Sequence, residues 1–262
     1  MADRLLLNFS VPFRGTLWNT LALPTKNIVF LELRDEERRL VSFSGLHYHS
    51  GTYLWKDRSY SERWWLSLLT ASDEVLLLQR YHPDNPDLRS LIALHAGSGE
   101  IRWTREEFTF ERISGGRVYG FTGTDIRSPA SLDLVTGNLM AGNSFRDDVE
   151  NEISGALRPF LYQERTPYFT TVRDFLSTNF DHHPEGGVEY LEFNGKVVIS
   201  YHIKTPDGLT NYLLVIRESG PVLLHEKMAV GLRGLGTDTF FVLSGCLFFV
   251  MNGELLLSYQ LL

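Results

Sequence analysis

The sequence predicts an all-β fold, a single β-propeller of about six four-stranded blades. Three observations carry that expectation: a recurring strand–turn–strand pattern, turn glycines at a recurring spacing, and an aromatic share of 13%, which favours strands. Four segments share the pattern: 45–55 (GLHYHSGTYLW), 91–103 (LIALHAGSGEIRW), 130–141 (ASLDLVTGNLMA) and 213–224 (LLVIRESGPVLL). In each, an apolar strand enters a turn of small residues that ends in glycine, the residue that adopts positive φ at little steric cost. The positions two and four beyond that glycine are apolar: Tyr53 and Trp55, Ile101 and Trp103, Leu139 and Ala141, Val222 and Leu224. On a regular strand they share one face, so that face is expected to pack inward. Each segment then reads as the two outer strands of a small antiparallel sheet. A weaker fifth copy is 246–258, with the turn Asn252–Gly253.

The turn glycines Gly51, Gly99, Gly137, Gly220 and Gly253 are 48, 38, 83 and 33 residues apart. Taking the long step as two units gives a period of about 40 residues, that of a propeller blade. The predicted units are 26–57, 60–105, 107–142, 143–186, 187–228 and 230–262, all in one domain spanning 1–262. Further strands are expected at 74–79, 117–122, 188–193, 196–203 and 238–243, with turn chemistry at Asn194–Gly195 and around Asp207–Gly208. The stretch 143–181 departs from the pattern. It opens on an acidic run at 147–152, and at 170–180 it carries Val172, Phe175 and Leu176 at helical spacing, which predicts a helix or a distorted blade. The N-terminal strand 5–11 is expected to pair with 254–260 and close the ring, removing exposed edges. Five or seven blades, or a β-sandwich, are the alternative architectures.

The segment LIALHAGSGEIRW resembles the repeat of the quinoprotein-type β-propellers. Ala93–Leu94–His95 stands for Ala-Leu-Asp, Ser98–Gly99 for Thr-Gly, and Trp103 for the tryptophan that packs between blades. Leu132–Asp133, Thr136–Gly137 and Leu139 follow the same repeat, as do Ser50–Gly51 and Trp55, so the resemblance covers about half the chain. It implies architecture and no chemistry. Pyrroloquinoline quinone is not expected, because the dehydrogenases of that class are far longer and often use an adjacent Cys-Cys pair near the quinone. Length and repeat placement also resemble an uncharacterised, mainly Bacteroidetes family of bacterial proteins about 260 residues long, which has no known function to carry over.

Composition excludes several classes. With 25 basic and 32 acidic side chains, the net charge is −7, which argues against a nucleic-acid binder working through counterion release. Arg112, Arg117 and Arg127 are dispersed among acidic residues. The most apolar run, 240–251, contains Ser244 and Gly245 and is too short for a spanning helix of about 20 residues. The start MADRLLLNFSVPF has no signal-peptide apolar core, so a cytoplasmic location is expected. The single cysteine, Cys246, lies in LSGCLFFVM and reads as a small buried apolar side chain.

Candidate sites are few. His47 and His49 are two apart, so on a strand both imidazoles would face one side and suit chelation of a divalent metal. His182 and His183, in DHHPEGG, are the other candidate ligands, although Pro184 and Gly186–Gly187 read as a loop tip. Inter-blade packing or a plain strand surface is the competing reading of the histidines. Tyr60, Trp64 and Trp65 are candidate ligand contacts, set against simple core packing. Asp125 and Asp133 are a weaker carboxylate pair with turn roles as the alternative. The glycines of GLRGLG (231–236) lack dinucleotide-binding spacing, and the sequence holds no nucleophile elbow, Walker loop or HExxH. The function expected is therefore a non-catalytic scaffold that binds a protein partner or a small ligand, without a cofactor. The alternative is a metal-assisted hydrolase or lactonase with its site in the propeller channel, and a third reading is a component of a cell-envelope assembly.

Overall fold

The computed structural model describes residues 4–72, 74–123, 126–141, 155–218 and 220–262. Asp125 and the acidic run 147–152 lie outside the described residues. The chain divides into two compact units, one of residues 14–48 and 52–155, the other of 1–13, 49–51 and 156–262. Strand β1 (Leu7–Pro12) belongs to the second of these.

In the first unit, β2 (Thr16–Leu23), β3 (Ile28–Asp35), β4 (Leu40–His47) and β5 (Tyr53–Arg58) form an antiparallel sheet in chain order. A second sheet repeats the arrangement with β6 (Leu66–Ser72), β7 (Val75–His82), β8 (Asn85–His95) and β9 (Ile101–Arg105). A third has β10 (Phe108–Ser114), β11 (Arg117–Thr122) and β12 (Ser128–Asp133), and among the described residues the place of a fourth strand shows one bridge, Leu132 to Leu139. Phe30, Phe43, Trp55, Leu76, Leu78 and Leu94 belong to one core cluster of this unit; Leu77, Ala93, Phe108, Val118 and Leu132 belong to another.

In the second unit a short β13 (Ala156–Leu157) is followed by β14 (Phe160–Gln163), α1 (Pro167–Phe180), β15 (Pro184–Phe193), β16 (Lys196–Thr205), β17 (Gly208–Arg217) and β18 (Val222–Leu232). Strands β14 to β18 form a five-stranded sheet in chain order. The last sheet holds β19 (Phe240–Leu243), β20 (Cys246–Met251) and β21 (Leu255–Gln260), flanked by β13 and β1. As the sequence predicts, the N-terminal strand pairs antiparallel with the C-terminal one, from Leu7 opposite Tyr259 to Pro12 opposite Leu255. The all-β class and the four-stranded antiparallel unit are those expected.

The helix expected from 170–180 starts a little earlier. Thr166 caps it, its Oγ1 accepting from the Phe169 N–H at 3.2 Å, and Pro167 follows at the first helical position, where a missing N–H is harmless. Its buried face is Phe169, Val172 and Leu176, packed on Val188, Ile199, Tyr201 and Leu214 of the sheet.

All five turn glycines have positive φ, between 69° and 114°. In the first three copies the N–H four residues before the glycine donates to the carbonyl one residue after it: His47 to Thr52 at 2.9 Å, His95 to Glu100 at 2.8 Å and Asp133 to Asn138 at 2.9 Å. The regular inward face expected after the turn is corrected by the structure. Trp55 pairs with Gly45 but Tyr53 with Leu46; Trp103 pairs with Ala93 but Ile101 with Leu94; Leu224 pairs with Val215 but Val222 with Ile216. Each return strand thus spends one extra residue just after its turn, a β-bulge that breaks the alternation. In these three copies the residue two beyond the glycine is the more exposed of the pair (Ile101 is 51% exposed) and the one four beyond the more buried (Trp55 is 6% exposed).

Those inward tryptophans dock on the next copy. The Trp55 indole N–H donates to Ala96 O at 2.8 Å, and a Cβ on Gly99 would lie 2.8 Å from its Cδ2. The Trp103 indole N–H donates to Leu134 O at 3.1 Å, and a Cβ on Gly137 would lie 2.6 Å from its Cδ2. The resemblance assigned this inter-sheet role to Trp103, and the structure places it there. In the second unit Phe9 covers Gly51 in the same manner, with a Cβ there falling 2.5 Å from its Cγ.

Candidate functional site

In the first unit, strand β3 carries a buried carboxylate next to a cation. Glu32 is fully buried, and all its acceptor capacity is used. Oε1 accepts from Arg34 Nε at 2.9 Å and Nη2 at 2.7 Å; Oε2 accepts from Ser67 Oγ at 3.0 Å and the Leu68 N–H at 2.9 Å. Arg34 also donates to the carbonyls of Trp64 at 3.3 Å and Leu66 at 2.9 Å. The pair therefore ties β3 to the first strand of the next sheet. The guanidinium so held lies 5.0 Å from the ring centroids of both Trp18 and Trp64, within cation–π range of each. Trp18 is 61% exposed and the adjacent Trp65 is 44% exposed. The Arg34 side chain is only 13% exposed and is paired with Glu32, so what Trp18 presents beside it is an aromatic surface.

Of the sequence-predicted contacts, Trp64 lies against the Arg34 guanidinium, and Trp65, next to it in sequence, is exposed. They lie in the bend before β6 rather than on a strand, so the opposite-face argument for adjacent tryptophans does not apply to them. The Glu62 carboxylate accepts from both their N–H groups, at 2.9 and 3.0 Å, and these bonds hold its pKa below the usual range against a desolvation that pushes up. Tyr60 is placed against the core, its hydroxyl donating to Gly99 O at 2.7 Å and its ring 6.0 Å from Phe43. Trp18 and Arg34 were missed; the signal, an Arg two residues after a Glu on an apolar strand, is too common to single out.

The four histidines do not form one group. Strand β4 ends at His47, and His49 lies in the turn beyond it, so the shared-strand-face premise fails. His47 occupies the turn position that His95 and Asp133 occupy in the next two copies. There His95 Nδ1 accepts from the Gly97 N–H at 3.2 Å, and Asp133 Oδ1 accepts from the N–H groups of Val135 at 3.1 Å and Thr136 at 2.7 Å. His49 Nδ1 lies 3.8 Å from the Cys246 sulfur. Cys246 is buried, which pushes its thiol pKa up and keeps it in the inert form. His182 and His183 diverge: His183 is exposed beside Ser177 and Asp181, whereas His182 Nδ1 meets the Tyr201 hydroxyl at 2.8 Å. Among the described residues no three His, Cys, Asp or Glu side chains gather as a metal site.

The second unit holds a buried polar site that the motifs did not indicate. Glu189, Ser200, His202 and Asn211 lie on the face of β15, β16 and β17 opposite the helix, alternating with the apolar residues that face it. Glu189 accepts from the N–H groups of Asp238 and Thr239, the latter at 3.1 Å, and from Thr239 Oγ1. Thr239 Oγ1 and Asn211 Nδ2 both reach Ser200 Oγ, at 2.6 and 3.1 Å. Gly236, in the GLRGLG loop, donates its N–H to His202 Nε2 at 3.4 Å. Burial pushes the Glu189 pKa up and the His202 pKa down. A cavity of about 60 Å³ borders Glu189, Ser200, His202, Leu235 and Gly236, room for about two water-sized groups. On the surface of the same unit, a groove of about 470 Å³ is lined by Arg4, Lys196 and Arg217 with Leu5, Leu223 and Leu262.

Residues 22–103 match the family model "Domain of unknown function (DUF4905)", less than half of the chain. No curated protein matches the sequence. Three solved structures are similar at low level. BamB from Moraxella catarrhalis is 9% identical, over 98% of this chain and 99% of that one, with a TM-score of 0.25. Quinohemoprotein alcohol dehydrogenase from Comamonas testosteroni is 12% identical, over 94% of this chain and 42% of that one, with a TM-score of 0.32. An endo-1,4-beta-xylanase from Bacteroides thetaiotaomicron VPI-5482 is 12% identical, over 79% and 78%, with a TM-score of 0.27. TM-scores this low carry no argument about the chain. No helix among the described residues is long and apolar enough to cross a membrane.

Proposed function

We propose that the chain is a non-catalytic β-propeller scaffold that binds a protein partner or a small ligand. The propeller reading is supported by the successive sheets of the first unit, where Trp55 and Trp103 each cap the turn glycine of the following copy. The observation that carries the binding reading is the pair of exposed indoles, Trp18, which lies against the Arg34 guanidinium, and Trp65, the sequence neighbour of Trp64 on that same guanidinium. Tryptophan and arginine are the residues that most often dominate binding energy, because they bury large area with few rotamers to freeze. Arg34 is already immobilised by Glu32, so its ordering cost is met before any partner arrives. The cytoplasmic placement expected from the N-terminal sequence belongs to the same reading, and cell fractionation tests it.

The binding experiment compares the native chain with a Trp18→Ala/Trp65→Ala double variant in affinity capture followed by quantitative proteomics and metabolite analysis. A partner or ligand held by the native chain and lost by the folded variant is the expected result. Equal recovery by both, or turnover of an ester or lactone panel by purified protein, would overturn the reading.

A further inference from the structure

At the C-terminal end of α1 three side chains point their polar atoms at one another. Asp181 caps the helix in the left-handed conformation, φ 56°, and His182 follows it directly. Its position is fixed by its own backbone: its N–H donates to Leu176 O at 3.4 Å and its carbonyl accepts from Ser177 Oγ at 3.2 Å. Tyr201 of β16 rises from the helix-facing core, and His225 stands on β18. The Tyr201 hydroxyl lies 2.8 Å from His182 Nδ1 and 2.9 Å from His225 Nε2. The ring of Tyr212, stacked 5.7 Å from Tyr201, and that of Phe180, edge-on at 4.8 Å to His225, wall the group with aromatic surface.

A phenol has one proton and can donate it to only one of the two imidazoles. The other imidazole must then be the donor, so the cluster holds a fixed N–H···O–H···N chain. The same convergence is what a metal ion asks for. Two imidazoles on one tetrahedral ion, with bonds of about 2.05 Å, have ring centres about 5 to 5.5 Å apart and ligand atoms about 3.3 Å apart. Here the two imidazole centroids are 5.6 Å apart. Opening the two N···O separations by roughly half an ångström would bring them to the ligand–ligand spacing of an ion of that bond length.

We propose that His182 Nδ1, Tyr201 Oη and His225 Nε2 form a binding site for one divalent transition-metal ion of the zinc–copper class. The donor set of two imidazole nitrogens and one phenolate oxygen suits these ions. On binding, the phenol O–H breaks, its electron pair forms the metal–oxygen bond and one proton goes to solvent. A cation at ligand distance favours the phenolate over the phenol. The imidazole that donates its N–H to the phenol must at the same time move that proton to its other ring nitrogen, which frees the ligating lone pair and leaves the count at one proton released. Of the charged groups that face them, Lys227 opposes a cation and Asp181 favours one. His225 is exposed, so the fourth position faces solvent. The site is independent of the binding surface proposed above.

The test titrates the full chain, stripped with a chelator, with Cu(II) alone and separately with Zn(II) alone. Expected are one ion per chain, one proton released per ion, and a visible phenolate-to-Cu(II) charge-transfer band. Tyr201→Phe keeps the ring but removes the oxygen; it should abolish the band and weaken both ions at least about tenfold, and His225→Gln, at an exposed position, should weaken them at least as much. His183→Ala should change neither. Binding that lacks the band, or that survives both Tyr201→Phe and His225→Gln, would overturn the proposal and mark an ordinary surface-histidine contact. If Tyr201→Phe fails to fold, His225→Gln together with the band and proton count in the native chain still decides.

Discussion

Replacing Gly137 with alanine tests how the tryptophan docking holds successive sheets together, because two costs of different origin are superposed there. Gly137 has φ 72°, a conformation in which a Cβ crowds the neighbouring carbonyl and costs about 1–2 kcal/mol. The new Cβ would also meet the Trp103 indole, at 2.6 Å from Cδ2 and 2.7 Å from Cγ. Overpacking of that kind costs about 1–3 kcal/mol more. Gly137→Ala alone should therefore lower stability by about 2–5 kcal/mol. In a Trp103→Ala background the overlap vanishes and only the backbone cost remains, about 1–2 kcal/mol. The coupling between the two changes should thus be about 1–3 kcal/mol in a double-mutant cycle. Urea unfolding followed by circular dichroism, with midpoints and slopes compared across the four proteins, reads it directly. If Gly137→Ala costs the same with and without the indole, Trp103 does not rest on that turn and the account of sheet-to-sheet docking is wrong.

Removing one partner of the buried pair should be costly, because Glu32 accepts four hydrogen bonds with no exposure to water. Glu32→Ala should lose about 3–5 kcal/mol in urea unfolding, whereas Arg38→Ala, whose ion pair with Asp35 is exposed, should change stability by less than about 0.5 kcal/mol. Stability should also fall on mild acidification: burial lowers the pKa values of His202, His182 and His225, so the unfolded chain binds the extra protons, and the stability present above a pH of about 6.5 is lost as the pH drops below it. His202→Gln should flatten that slope in thermal melts between pH 7 and pH 5. Trp18→Ala and Trp65→Ala should leave the melting temperature nearly unchanged, since neither exposed side chain fills core space; a large drop would mean that the surface is structural rather than available for binding.

What could be read from the sequence and what could not separates along a physical line. The turn glycines were legible because a positive φ leaves a chemical mark, a residue without Cβ, at each copy. Trp103 was legible because a large aromatic at a fixed distance from such a glycine has one economical place to go, the open space above the next glycine. The outward turn of Ile101, Leu139 and Val222 was not legible. In the copies of Ile101 and Val222 a bulge adds one residue without changing any residue type, and alternation arguments assume it away. Among the described residues the third copy has the single bridge Leu132–Leu139 on that side and no return strand to fix the facing of Leu139. Polar sites fared worse for a related reason. His182, Tyr201 and His225 are 19 and 24 residues apart, on a helix end and two non-adjacent strands of one sheet, and only the register of β16, β17 and β18 brings them together. The sequence-adjacent pair, His182 and His183, leaves the helix cap at Asp181 with one imidazole in the aromatic cluster and the other in solvent. Proximity in sequence misleads because successive residues of an extended chain point to opposite sides, so in a chain built from hairpins a candidate ligand set should be sought across strands, at equal depth on one face, before it is sought among neighbours.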